Sequence, residues 1–186
     1  ENVHVITGAK GKALKVIKKI AKGKNAPFFL AKKYKNAEFD YLNGEFQQEN
    51  KDIALTAIEV LKKQNQVKIN RNQAISGIKK TQWPARLQFV SRNVLIDCAH
   101  NPAGLEALKK ELTIIKSRNK INEFIFVVGI QAAKDVKAML KKIKPLTSIM
   151  IFTRSGNEKA ADTKELLKIF NEINKNKAIK TKIISN

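Results

Sequence analysis

Asp97 and His100 are the residues whose types and spacing most directly suggest chemistry. Both lie in a short polar segment that follows an apolar run, residues 94–96. A carboxylate in this position can hold a pair of ribose hydroxyls, ligate a metal ion or cap the next helix. An imidazole titrates near neutral pH and can serve as an acid–base group or as a polar contact. No other acid or histidine stands at metal-ligand spacing from His100, so we predict no metal site.

The elements around this segment predict a strand followed directly by a helix. The apolar run reads as a buried strand, and residues 104–112 (GLEALKKEL) have helical spacing. Asn101 can cap the helix, and Pro102 suits its first turn because its missing N–H is not needed there. Since α/β proteins place ligands at such turns, this one is a candidate site.

Three other charged residues are candidates for the same site. Arg86 follows a Trp-Pro pair, and its planar guanidinium suits bidentate contact with phosphate or carboxylate, although a surface ion pair is the alternative. Lys134 and Asp135 open a predicted helix. They can reach the crevice, or they can be a helix-start acid beside a solvated lysine. The residue types alone leave both alternatives open.

The formal charge of +21 comes almost entirely from lysines spread through every predicted helix. Such a surface attracts polyanions, nucleic acid included. However, aromatic residues make up only 6% of the chain, and no basic patch interleaved with aromatics offers a platform for stacking bases. We therefore favour a compositional bias to lysine over nucleic-acid binding, with attraction of small anions as a by-product.

Composition also narrows the class and compartment of the protein. A single cysteine, Cys98, excludes an internal disulfide and a cysteine-built metal site. The chain shows no leader peptide and no apolar run that could cross a membrane, so we predict a cytoplasmic protein without membrane contact. Residues 8–13 (GAKGKA) resemble a phosphate-binding loop, but their glycines are too close and no Ser or Thr follows the lysine.

The order of predicted elements indicates an α/β fold with a mostly parallel sheet, because strands alternate with single helices. Residues 124–128 (FIFVV) are apolar throughout, which predicts a central strand covered on both faces. We place the domain boundary between residues 82 and 83, since a residue before proline disfavours helix. Predicted strands are 3–7, 27–30, 87–90, 94–97, 123–128, 148–152 and 180–184, and predicted helices are 13–22, 52–63, 72–78, 102–116, 134–143 and 163–174.

Residues 83–87 (WPARL) followed by 95–102 (LIDCAHNP) closely resemble the folylpolyglutamate synthase/dihydrofolate synthase group of the Mur ligase family. Residues 44–50 (GEFQQEN) and 129–135 (GIQAAKD) are similar to two further motifs of that group, in the same order. Phe46, Cys98 and Ala133 depart from it, where the group has a histidine, a glycine and an acid.

The resemblance implies an ATP-dependent ligase that joins L-glutamate to folate or dihydropteroate through an acyl phosphate. Asn50 would bind the adenine, Arg86 the ATP phosphates and Asp97 the ribose. His100 would lie near the nucleotide and the incoming amino acid, with Arg86 and His100 the residues closest to catalysis. Lys134 and Asp135 are weaker substrate contacts, and the full-length protein would be a monomer.

The resemblance also implies that the chain contains parts of two domains. Residues 1–82 match the end of the ATP-binding central domain, and residues 83–186 match a Rossmann-like C-terminal domain without its last strand. The group's phosphate loop and Mg²⁺ ligands match nothing in these residues, so we expect the polypeptide alone to be inactive. Two alternatives remain: a ligase acting on peptidoglycan precursors, against which the Trp-Pro hinge argues, and a non-catalytic module that binds nucleic acid.

Overall fold

The computed structural model describes residues 3–35, 38–175 and 178–184 and shows an α/β protein. The chain forms two compact units, Glu1–Ile96 and Asp97–Asn186. This division falls later than the predicted boundary at residues 82 and 83, because the segment after the Trp-Pro pair groups with the first unit. The assignment of the two parts to a central and a C-terminal domain stays a prediction.

The first unit combines a parallel strand pair, three helices and a hairpin. Strands β1 and β2 are parallel, with Val5 opposite Phe28. Strands β3 and β4 are antiparallel, with Phe89 opposite Leu95. In chain order the elements are β1 (Val5–Thr7), α1 (Gly11–Gly23), β2 (Phe28–Leu30), α2 (Phe46–Lys63), α3 (Arg71–Lys80), β3 (Gln88–Ser91) and β4 (Val94–Ile96).

Residues 32–34 are hydrogen-bonded to side chains of α2. The buried Lys51 donates from Nζ to the Tyr34 carbonyl at 2.6 Å, and the Tyr34 amide donates to Asp52 Oδ1 at 3.0 Å. The Lys32 amide donates to Thr56 Oγ1 at 3.0 Å. A buried ammonium is costly unless it is hydrogen-bonded, so the bond to the Tyr34 carbonyl and a second one to Gln48 Oε1, at 2.7 Å, explain how α2 keeps Lys51 inside.

The second unit is a parallel sheet whose helices pack into a single core with it. Its strands are ordered β5–β6–β7, so β6 is central. The buried core includes Leu140, Met150, Phe152 and Phe170, which are fully enclosed. In chain order the elements are α4 (Pro102–Asn119), β5 (Phe124–Val128), α5 (Val136–Ile143), a 3₁₀ turn (Lys144–Leu146), β6 (Thr147–Phe152), α6 (Thr163–Ile173) and β7 (Lys180–Ile183).

The prediction that residues 124–128 form a central strand is wrong for the described residues. β5 lies at the edge of the sheet, with Phe126 and Val128 against the core. Ile125 and Val127 point to the other face and are 61% and 64% exposed. A continuous apolar run shows that neither face is polar, but it does not show which faces are covered.

The strand at residues 94–97 also differs from its prediction. Among the described residues, β4 pairs with β3 alone, in a separate two-stranded sheet, and ends at Ile96. The short link through Arg92 and Asn93 closes an antiparallel hairpin, whereas a parallel pair needs a long crossover. Asp97 therefore follows a hairpin strand and not a strand of the parallel sheet.

No helix in the described part of the chain is long and apolar enough to cross a bilayer.

Because of its place in the core, truncation of Phe170 should strongly reduce the stability of the second unit. Phe170 is fully buried and meets Phe152 edge-to-face, with ring centroids 5.7 Å apart. We expect Phe170→Ala to lower the free energy of unfolding of this unit by about 3–5 kcal/mol, measured by hydrogen exchange of the β6 amides. The half-exposed Phe89 of the hairpin is the control, and an equal effect of Phe89→Ala on the β6 amides would contradict this core.

Candidate functional site

The turn between β4 and α4 is organised by two side chains that accept backbone hydrogen bonds. The half-buried Asp97 accepts at Oδ1 from the Ala99 amide, at 2.8 Å. Asn101 has extended backbone angles and accepts at Oδ1 from the Gly104 amide, at 2.8 Å. Asn101 is therefore the helix cap, as predicted, and Asp97 orders the turn before it. The capping alternative for Asp97 is not what the structure shows.

His100 is exposed on the same turn. Its Nδ1 lies 3.0 Å from the Cys98 carbonyl oxygen. A carbonyl can only accept, so this contact requires the proton on Nδ1 and makes Nε2 the acceptor of the neutral ring. The backbone thus selects a tautomer of His100 whose exposed Nε2 can accept a hydrogen bond from an amine or a hydroxyl.

Arg86 lies on a strained turn of the first unit. Its neighbours Ala85 and Leu87 have φ of 55° and 46°, in the left-handed region that non-glycine residues rarely adopt. Leu87 is 2% exposed, and its carbonyl accepts from Asn43 Nδ2 at 3.2 Å. Burial of Leu87 and this hydrogen bond stabilise the unusual backbone conformation. Arg86 therefore lies in a turn whose backbone is held in place by its neighbour.

The ion-pair alternative for Arg86 finds no support in the described ranges. No carboxylate of residues 3–35, 38–175 or 178–184 forms a salt bridge with Arg86, a half-buried residue. A guanidinium keeps its charge at any physiological pH. Arg86 is therefore a permanent positive charge that can bind a phosphate or carboxylate.

Asn50 lies in the same unit, on the solvent side of α2. Its Nδ2 donates to Gln47 Oε1 at 2.8 Å, and Gln47 is itself 4% exposed. This contact orients the amide of Asn50 and leaves its side chain exposed. An exposed, oriented amide can pair with the edge of a base, and the adenine contact stays a prediction.

Lys134 and Asp135 lie at the start of α5. The exposed Asp135 accepts at Oδ1 from the Ala138 amide at 2.9 Å and so caps the helix. The half-buried Lys134 donates its amide to the Gln131 carbonyl at 3.1 Å. The helix-start interpretation of Asp135 is therefore observed, while a substrate contact from either residue stays a prediction.

The described part of the chain contains no group of three or more His, Cys, Asp or Glu side chains placed to hold a metal ion. Carboxyl groups with shifted pKa lie on surface helices instead. The hydrogen bond from Lys142 lowers the pKa of Glu106, and that from Lys137 lowers the pKa of Glu172.

The structure thus brings Asp97 and His100 together on one turn of the second unit, and it places Asn50 and Arg86 in the first. Sequence patterns did not reveal the left-handed backbone at Ala85 and Leu87. Neither residue is a glycine or an asparagine, the types that usually signal positive φ, so no sequence signal marks this turn.

Comparison with known proteins identifies a consistent set of relatives, although no known protein-family model matches the chain. Folylpolyglutamate synthase of Lacticaseibacillus casei is 33% identical over 104 residues, which is 55% of this chain and 23% of that protein. Dihydrofolate synthase/folylpolyglutamate synthase of Mycobacterium tuberculosis is 30% identical over 131 residues, 67% of this chain and 26% of that protein. The resemblance carried by the motifs is confirmed.

Solved structures agree with the fold. Mycobacterium tuberculosis folylpolyglutamate synthase complexed with ADP matches with a TM-score of 0.78 at 20% identity, over 96% of this chain and 44% of that one. E. coli FolC in complex with DHPP and ADP matches with a TM-score of 0.71 at 18% identity, over 97% of this chain and 49% of that one. The chain therefore spans about half the length of these proteins, and the predicted fold class is confirmed.

The capping contact of Asn101 predicts how the turn responds to substitution. Replacing Asn101 with alanine removes the acceptor for the Gly104 amide, and we expect a loss of about 1 kcal/mol in unfolding free energy. Exchange of the Gly104 amide should accelerate correspondingly. Asn101→Ser supplies another capping oxygen and should recover most of the loss; equal exchange rates in both variants would contradict the cap.

Proposed function

We propose that these 186 residues are part of an ATP-dependent ligase of the folylpolyglutamate synthase/dihydrofolate synthase type, which adds L-glutamate to folate or dihydropteroate. The observation that carries the proposal is Arg86, a half-buried cation on a strained turn with no salt bridge in the described ranges. It stands in the run WPARL, which resembles the hinge of that group. The similarity to enzymes named for these activities supports the same conclusion.

The reaction joins a carboxylate to an amine. ATP, a substrate here, transfers its terminal phosphoryl group to the carboxylate and gives an acyl phosphate and ADP. The amine of L-glutamate then attacks the acyl carbon and the amide bond forms. Inorganic phosphate leaves with the electrons of the broken C–O bond and takes up the proton that the nitrogen loses. Phosphoryl transfer depends on positioning and on charge stabilisation, so an enzyme contributes mainly cations and oriented dipoles.

Arg86 supplies such a cation. Its fork can donate two hydrogen bonds to phosphoryl oxygens, and its charge stabilises the negative charge that spreads over them during transfer. The unusual backbone on either side determines the position of the Arg86 Cα, from which the side chain extends.

Asp97 and His100 have different roles in this proposal. The Asp97 carboxylate, held to the Ala99 amide, accepts hydrogen bonds from the ribose hydroxyls. His100, with its Nδ1 on the Cys98 carbonyl, uses Nε2 to orient the incoming amino acid beside the nucleotide. Asn50 pairs with the adenine.

The remaining assignments concern the substrate, the metal ion and the complete enzyme. Lys134 and Asp135 would contact the substrate, although Asp135 also caps α5. Mg²⁺ accompanies ATP in the proposed reaction, with ligands from outside these residues. We therefore expect the 186-residue polypeptide alone to be inactive, and the complete enzyme to be a cytoplasmic monomer that contacts no membrane.

The two alternative functions predict different experimental results. A peptidoglycan-type ligase would release ADP with a peptidoglycan precursor and not with folate. A nucleic-acid-binding module would shift duplex or single-stranded DNA at physiological ionic strength, with an affinity that falls steeply as salt rises. The absence of aromatic residues interleaved with the lysines favours the ligase.

Substitution of Arg86 tests the proposal. In the longest protein that contains these residues, Arg86→Ala should lower folate- and glutamate-dependent ADP release by about 100-fold or more, because it removes the cation that meets the phosphates. Arg92→Ala is the matched control, since Arg92 is exposed in the hairpin turn and should leave the rate unchanged. Full activity of Arg86→Ala would refute the role of Arg86.

Asp97 should influence ATP binding more than the chemical step. Asp97→Asn replaces an ionised acceptor by a neutral amide, so we expect the KM for ATP to rise by about tenfold while kcat changes little. Asp40→Asn, at an exposed position, is the control. An unchanged KM for ATP in Asp97→Asn would show that Asp97 does not hold the ribose.

A further inference from the structure

A cavity of about 190 Å³ lies between α2 and α3 in the first unit. Its wall is mainly apolar, and it contains none of the residues assigned to the nucleotide. The aliphatic residues and the one aromatic ring that line it are Leu55, Ile58, Ile69, Ala74, Ile75 and Tyr34. An apolar cavity of roughly 150 Å³ in another protein stays dry and binds benzene, so this volume suits one aromatic ring with a small substituent.

The apolar wall contains one polar group, the buried Tyr34 hydroxyl. Burial raises the pKa of Tyr34, and Thr56 and Glu59 are its hydrogen-bonding neighbours.

The mouth of the cavity is positively charged. Lys62 and Arg71 line it, both are exposed, and neither forms a salt bridge within the described ranges. Glu59 also lines the cavity, but its Oε2 lies 2.7 Å from Lys32 Nζ, and the hydrogen bond from Lys32 lowers the pKa of Glu59. The negative charge of Glu59 is thus already compensated, while the two other cations are not.

Arg71 occupies a position where a cation is unfavourable. It is the first residue of α3, directly after the cap Asn70, and the first turn contains no acid. The N-terminal end of a helix carries a partial positive charge, which favours anions there and disfavours cations. A bound anion at the mouth would interact favourably with Arg71, Lys62 and the helix end together.

We propose that this cavity binds a small single-ring aromatic carboxylate, with the ring against the aliphatic wall and the carboxylate between Lys62 and Arg71. The guanidinium matches a carboxylate in shape as well as in charge. The proposal stands independently of the ligase assignment, because it uses no residue of the proposed nucleotide site.

Benzoate is the probe that tests this binding. In a ¹H–¹⁵N titration of the 186-residue protein, benzoate at millimolar concentration should shift the α2 and α3 amides around Ile58 and Ala74 saturably. Benzyl alcohol, which keeps the ring without the charge, should bind about tenfold more weakly, and benzylamine should not bind. Equal affinities for the three compounds, or no saturable shift with benzoate, would overturn the proposal.

Substitutions separate the two parts of the site. Arg71→Gln should weaken benzoate binding by about tenfold, whereas Lys80→Gln, the same charge change about 13 Å away along α3, should not alter it. Ala74→Leu fills the cavity and should abolish binding of both benzoate and benzyl alcohol while the dispersed spectrum remains. If Arg71→Gln and Lys80→Gln behave alike, the carboxylate does not lie at this mouth.

Discussion

The hydrogen bond from the Gly104 amide to Asn101 Oδ1 determines where the chain stops being extended and becomes helical. Because α4 begins there, the residues just before it are confined to a short turn, where Asp97 and His100 make their own backbone contacts. A Cβ at Gly104 would make only ordinary van der Waals contacts, 3.4 Å from Ala99 Cβ and from Asn101 Oδ1, so the turn depends on the amide of Gly104 rather than on its lack of a side chain. The candidate nucleotide contacts of the second unit thus depend on a single helix start.

Charge is the second constraint on the molecule. With 37 Lys and Arg against 16 Asp and Glu, most cations have no acidic partner available. The ion pairs that do form between helices, such as Lys137 with Glu172, are exposed and contribute little to stability. The surplus charge instead attracts anions. Arg86 differs from the solvated surface lysines because it is half-buried and lies between two residues with left-handed backbone.

Much of the fold could be predicted because local patterns were strong. Helical spacing and capping signals located α4, and its predicted start at Pro102 agrees with the structure. Apolar runs located the strands, but not their neighbours. The strand at residues 94–97 was expected in the parallel sheet and pairs in a hairpin, and residues 124–128 form an edge strand. Pairing partners depend on contacts distant in sequence, which periodicity does not encode.

The candidate site, too, could be predicted from the sequence only in part. Asn101 was predicted as the cap from its type and position, whereas the left-handed backbone beside Arg86 had no sequence signal, because Ala85 and Leu87 rarely adopt it. The Lys32–Glu59 pair and the cavity beside it also join residues far apart in sequence. Resemblance to a family supplied the nucleotide roles, which residue types alone had left open between capping, metal binding and ribose binding.

The roles proposed for Arg86 and for the turn at residues 97–101 are each a contact with a nucleotide. Hydrogen–deuterium exchange of the longest protein that contains this chain, with and without saturating ADP, tests these contacts most directly. The account predicts slower exchange in peptides that cover residues 85–88 and 97–104, and unchanged exchange in β7. Unchanged exchange in both of the first two peptides under saturating ADP would contradict it.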